Sequence, residues 1–179
     1  RELERLLKNP SDPETQAKLE KLLSREKIAL KESIMKREAE FRKRYGIVLL
    51  ESRVALIADR MIEKGYDVNT VIEEVVDIQR MVEDFERDFY RKHGISLRFS
   101  NEAIDRVTEI GLEEDGKGTG ICSRLSKDYE HGFKLIRDRI GQREFILTRE
   151  AIDNPEGYLN QVIREVFSQQ TDVRVEDKE

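Results

Sequence analysis

The chain has 179 residues, 40% of them charged, with three prolines, ten glycines, no tryptophan and a formal net charge of -5. That balance favours amphipathic helices with solvated faces, and the acidic excess argues against non-specific nucleic-acid binding, which relies on a basic surface to release phosphate counterions. Cys122 is the single cysteine and has no internal disulfide partner, and no apolar run approaches the ~20 residues that cross a bilayer. A cytoplasmic protein with no nucleic-acid or membrane partner is expected. The chain opens at Arg1 without a signal-peptide pattern and is expected to be cut from something longer.

"RELERLLKN" predicts a helical opening, broken at "NPSDPET", where Ser11 and Glu14 have capping-box spacing and Pro13 suits a first helical turn. A long helix follows, with Leu19, Leu23, Leu30, Ile34, Phe41 and Tyr45 on one stripe and Gly46 as its left-handed end. The stripe reads equally as an oligomer seam or as a surface folded back on the body. Ile47 to Leu49 is a short strand candidate, and Ser52 is expected to cap a helix running to about Lys64. Thr70 and Glu73 form another capping box, ahead of a helix bearing Val71, Val75, Ile78, Val82, Phe85 and Phe89 and closed by Gly94.

Ile95 to Phe99 alternates apolar and polar as a half-buried strand does, and Ser100 caps a helix carrying Ala103, Ile104, Val107 and Ile110. "EEDGKGTG" (Glu113 to Gly120) is a turn, after which Ile121, Leu125, Tyr129, Phe133, Ile136 and Ile140 line one helical face. "EFILT" reads as a final strand, Asn154 with Pro155 opens a terminal helix, and a polar, frayed tail is expected beyond Ser168.

Two stretches repeat one pattern. Phe41/Phe89, Gly46/Gly94, Ile47/Ile95, Leu49/Leu97, Ser52/Ser100, Ala55/Ala103 and Ile62/Ile110 match without a gap. Allowing a short insertion pairs Val68 with Ile121, Asn69 with Cys122, Thr70 with Ser123 and Ile72 with Leu125. The fold class expected is mainly α with short β-strands: two helix-strand-helix units behind an N-terminal helical arm. The divisions are 1–45 for the arm, 46–84 for a degenerate first unit, 85–168 for the second and 169–179 for the tail.

The second copy carries a further likeness. Gly94 to Phe99 gives a Gly-hydrophobic-x-hydrophobic-x-Phe strand, Ser100 to Ile104 a Ser-x-Glu-Ala-hydrophobic helix start, and Thr119-Gly120-Ile121-Cys122 a turn opening the next helix, with "EFILT" and "REA" after it. In that order these elements resemble the C-terminal small (lid) domain of ClpX-type AAA+ ATPases and unfoldases, over roughly residues 85–148. The resemblance implies the non-catalytic part of an ATP-dependent chaperone or protease regulatory subunit, partnered by an AAA+ large domain and neighbouring subunits, in a homo-oligomer. It implies ATP or ADP only together with a large domain that this chain lacks, and no cofactor for the chain alone.

The resemblance makes Gly120, Cys122 and Arg124 nucleotide-proximal. In the family's Thr-Gly-Ala-Arg turn the arginine reaches toward phosphate, a role suited to its fixed fork of donors. Here Cys122 stands in its place, and the nearest replacement, Arg124, is two residues on and so about 200° around the helix from it. Hydrolytic machinery is missing from the sequence, which holds no G-x-x-x-x-G-K-[ST].

Other readings come from the residues alone. Gly116, Gly118 and Gly120 suit a plain turn better than a phosphate cradle. Arg124, Lys127, His131, Lys134 and Arg137 form a basic stripe, read as a solvated face paired with Asp128, Glu130 and Asp138. Cys122 is read as a small buried residue rather than a nucleophile, and His93 and His131 lack metal-ligand spacing to it. The acidic runs Glu73, Glu74 and Asp77, and Glu113, Glu114 and Asp115, are read as solvated faces. A helical interaction or adaptor module is the alternative to the ATPase reading.

Overall fold

A computed structural model describes residues 12–114 and 119–176. Within them lie eight helices and two strands: α1 (Pro13–Lys36), α2 (Glu38–Tyr45), α3 (Glu51–Lys64), α4 (Val68–His93), β1 (Ser96–Phe99), α5 (Asn101–Glu113), α6 (Thr119–Ile140), β2 (Glu144–Leu147), α7 (Arg149–Asp153) and α8 (Pro155–Glu176). A mainly helical chain with short strands is what the sequence predicts. Its contacts form two compact units, Arg1–Glu73 and Glu74–Glu179, divided within α4. The expected helix over "RELERLLKN", and Ser11, lie outside the described residues.

In the first unit α1 starts on Asp12, whose carboxylate accepts from the backbone N–H of Thr15 at 3.0 Å, with Pro13 in the first turn. The predicted long helix is interrupted at Arg37 (φ -100°, ψ 10°), where helical geometry lapses for one residue before α2. Gly46 ends α2 at φ 71°, as expected. α1 packs on α3, with Ile34, Val54, Ile57 and Ala58 buried and Lys27 and Lys31 paired to Asp59 and Glu51. The α1 stripe is therefore partly folded back within its unit, with Ile34 buried and Leu23 exposed; off the stripe, Ile28 and Met35 are exposed too.

Three local expectations fail in this unit. Ile47 to Leu49 is irregular chain rather than a strand, because the sheet of the described residues pairs only β1 with β2 and gives these backbone groups no ladder. Ile47 and Leu49 are nevertheless buried, so the apolar alternation marks burial without pairing. Ser52 lies inside α3, whose N-cap is Leu50 without a side-chain cap. Thr70 is not a cap either: Asp67 accepts from the N–H groups of Asn69 and Thr70 at 2.9 and 3.2 Å and so starts α4 three residues earlier.

The second unit keeps the predicted order closely. Gly94 (φ 63°) turns the chain out of α4, β1 follows, and Ser100 caps α5 by accepting from the N–H of Ala103 at 3.2 Å. The strands β1 and β2 are parallel, with Ser96 opposite Glu144 and Phe99 opposite Leu147, and α5 and α6 make the crossover that parallel strands require. Leu97, Phe99, Phe145 and Leu147 point into a core shared with Phe85, Phe89, Ile121, Leu125, Tyr129, Phe133 and Ile136.

The outer edges of this small sheet are met by side chains. Glu86 accepts from the N–H of Phe99 at 2.8 Å, Gln142 donates to the carbonyl of Glu144 at 3.2 Å, and the Tyr158 hydroxyl donates to the carbonyl of Ile146. Asn154 caps α8 by accepting from the N–H of Gly157 at 3.1 Å, as predicted. The short α7 between β2 and α8 is an addition to the predicted order. α8 runs past Ser168, through the segment expected as a tail, to Glu176.

Candidate functional site

The three residues singled out by the turn before α6 are separated by the structure. Gly120, in the first turn, is exposed, with open space where a Cβ would stand. Gly116 and Gly118, the other members of the cradle reading, lie outside the described residues. Cys122 points the opposite way from solvent: its thiol donates to the carbonyl of Met81 on α4 at 3.9 Å. Burial pushes that thiol up to about 11, so desolvation outweighs any lowering from the helix start.

Beside Cys122 runs a groove of about 260 Å³ between α4 and α6, lined by Met81, Phe85, Phe89, Asp84, Asp88 and Ser126 among others. Its two aspartates are already engaged, Asp84 with Arg87 and Asp88 with Arg91. Arg124 opens instead on a second groove of about 190 Å³, with Asp128, Ile152, Asp153 and Pro155. That groove shares Asp128, Asp153 and Pro155 with a wider one of about 510 Å³ that also takes in Glu156 and Leu159. Cys122 and Arg124 thus serve different faces of α6, as a two-residue helical step requires, and Arg124 is set among carboxylates rather than at the turn.

The basic stripe on α6 is only partly solvated pairing. Lys134 binds Glu130 at 2.6 Å and Arg137 binds Asp138 at 2.8 Å, holding the Glu130 and Asp138 carboxyls below their ordinary range. Arg137 also donates to the backbone carbonyl of His93. Among the described residues no group of three His, Cys, Asp or Glu side chains is placed to hold a metal ion, and no helix is long and apolar enough to cross a membrane.

Sequence reasoning missed the charge ring that joins α5 to α7. Arg106 binds Asp153 and Glu109, each at 2.6 Å, and Arg149 reaches Glu109 at 3.2 Å and Asp153 at 3.5 Å. These residues are scattered over nearly fifty positions, so no local spacing announces them. The chain matches no family model, no curated protein and no solved structure.

Proposed function

We propose that the chain is the C-terminal small-domain part of a ClpX-like AAA+ ATPase, serving subunit packing and relay of nucleotide state rather than hydrolysis. One observation carries this reading: the run of β1, capped α5, α6 and parallel β2 behind a long helix ended by Gly94. It supports the likeness because residues 94–104 lie in a strand and a capped helix start, and residues 119–122 in the opening of the next helix, the order that the resemblance implies. On this reading ATP or ADP is held by a large domain. With Cys122 turned onto α4 and Arg124 in another groove, nucleotide state passes through packing contacts rather than through an arginine at the start of α6.

The test is the full-length protein. The gene upstream of Arg1 is expected to encode a phosphate-binding loop and an acidic magnesium-binding strand. Deleting residues 85–168 is expected to abolish ATP turnover and ring assembly together. A full-length chain lacking both motifs, or one that assembles and hydrolyses normally without the segment, overturns the proposal. A nucleotide-independent helical adaptor is the second reading, favoured by the exposed Leu23, Ile28 and Met35 of α1.

A further inference from the structure

A histidine in the last turn of a helix ordinarily gains from protonation, because unpaired carbonyls there carry partial negative charge. At the end of α4 that place is taken. The guanidinium of Arg137, from α6, donates to the carbonyl of His93 itself. The His93 ring is partly buried and lies edge-on against Phe89, with centroids 4.6 Å apart.

The charged groups facing it are Lys92 on its own helix and Glu130, Lys134 and Arg137 on α6. The one carboxylate among them, Glu130, is already bound by Lys134 at 2.6 Å, and Arg137 leans on Asp138 at 2.8 Å. A protonated imidazole would be the fourth cation in this cluster, on a ring half out of water.

We propose that His93 is a proton-operated latch between the end of α4 and α6: neutral, it packs on Phe89; protonated, it is driven from that contact. The turn it releases is the one that launches β1, where the Gly94 N–H donates to the Tyr90 carbonyl at 2.8 Å and Ile95 is buried. Burial, and after it Lys134, hold the imidazole below its ordinary 6.5, with Glu130 pulling the other way. The unfolded chain therefore takes up the proton first. The latch contributes fully above 6.5, and its contribution is lost as pH falls through the lower folded value.

Nuclear magnetic resonance of the full chain, in a His131→Gln background that leaves one imidazole signal, reads the titration directly. A midpoint below 6.5 is expected, rising in Lys134→Met and falling in Glu130→Gln. Between about pH 7 and pH 5 the unfolding midpoint of the parent is expected to drop relative to that of His93→Gln. A midpoint at or above 6.5, no response to either α6 variant, or parallel pH profiles for parent and His93→Gln would each overturn the latch.

Discussion

Gly132 sits in the middle of α6 at the crossing with α8, a position where one methyl group should be strongly felt. A Cβ there would stand 2.2 Å from Cδ2 of Leu159, 2.7 Å from Cδ1 and 2.9 Å from Cγ. Carbon atoms rest at ~3.5 Å or more, so Cδ2 alone would have to retreat by ~1.3 Å, and with Cγ also too close the whole isobutyl group must swing away. Overpacking of this kind costs ~1–3 kcal/mol, against a gain of up to ~1 kcal/mol for replacing glycine by alanine inside a helix. A net loss of ~1–2 kcal/mol is expected for Gly132→Ala, read as a lower urea midpoint at unchanged slope.

Two companions make the reasoning refutable. Leu159→Ala removes the obstructing atoms, so the double variant should recover part of the loss, giving a coupling of ~0.5 kcal/mol or more. At Gly111 the added Cβ would meet Ile78 at 2.7 Å from Cδ1 but 3.1 and 3.7 Å from Cγ1 and Cγ2. Only a side-chain tip must move there, so Gly111→Ala should cost less than Gly132→Ala. Equal or greater stability of Gly132→Ala, or additive behaviour with Leu159→Ala, would show that the α6 and α8 crossing does not depend on the missing side chain.

Three further outcomes are expected. Arg106→Ala opens the charge ring at the residue that holds two carboxylates, and should cost ~1 kcal/mol, diminishing in high salt, by comparison of urea midpoints at two ionic strengths. Burial raises the Glu86 carboxyl above its ordinary 4.5, with the Phe99 N–H opposing, so the folded state holds that proton more tightly and is penalised as pH rises through the folded value. Glu86→Gln keeps an acceptor for Phe99 and should be more stable than the parent at about pH 7, the difference vanishing at about pH 4; a constant difference would contradict this. With its thiol pushed up to about 11, Cys122 should react with a disulfide reagent far more slowly than free cysteine at about pH 8 and at the free rate in urea.

What was legible in the sequence was whatever a residue settles with its near neighbours. Gly46 and Gly94 end helices in the left-handed conformation, Ser100 and Asn154 cap, and the apolar step from Ile121 to Ile136 names a buried face, all as read from spacing alone. Asp67 rather than Thr70 caps α4, because Asp and Thr side chains close together at a helix start are both able to accept from the free N–H groups and spacing alone does not choose between them. Ile47 to Leu49 looked like Ile95 to Leu97 but has no partner strand among the described residues, which no local pattern reveals. For the candidate site, spacing correctly set Cys122 and Arg124 on different faces of α6. Of the carboxylates around Arg124, Asp128 is one helical turn along α6 and was legible, whereas Asp153 comes from α7 and could not be placed without the fold.

The side chains that meet the sheet at its two margins bear on what can join it. A third strand arriving beside β1 would have to displace the Glu86 carboxylate, and one arriving beside β2 would have to displace the Tyr158 hydroxyl and Gln142. Strand addition, one way that open sheet edges recruit peptides or aggregate, is thus obstructed on both sides. An added strand at either margin would first have to break a hydrogen bond that the fold already makes.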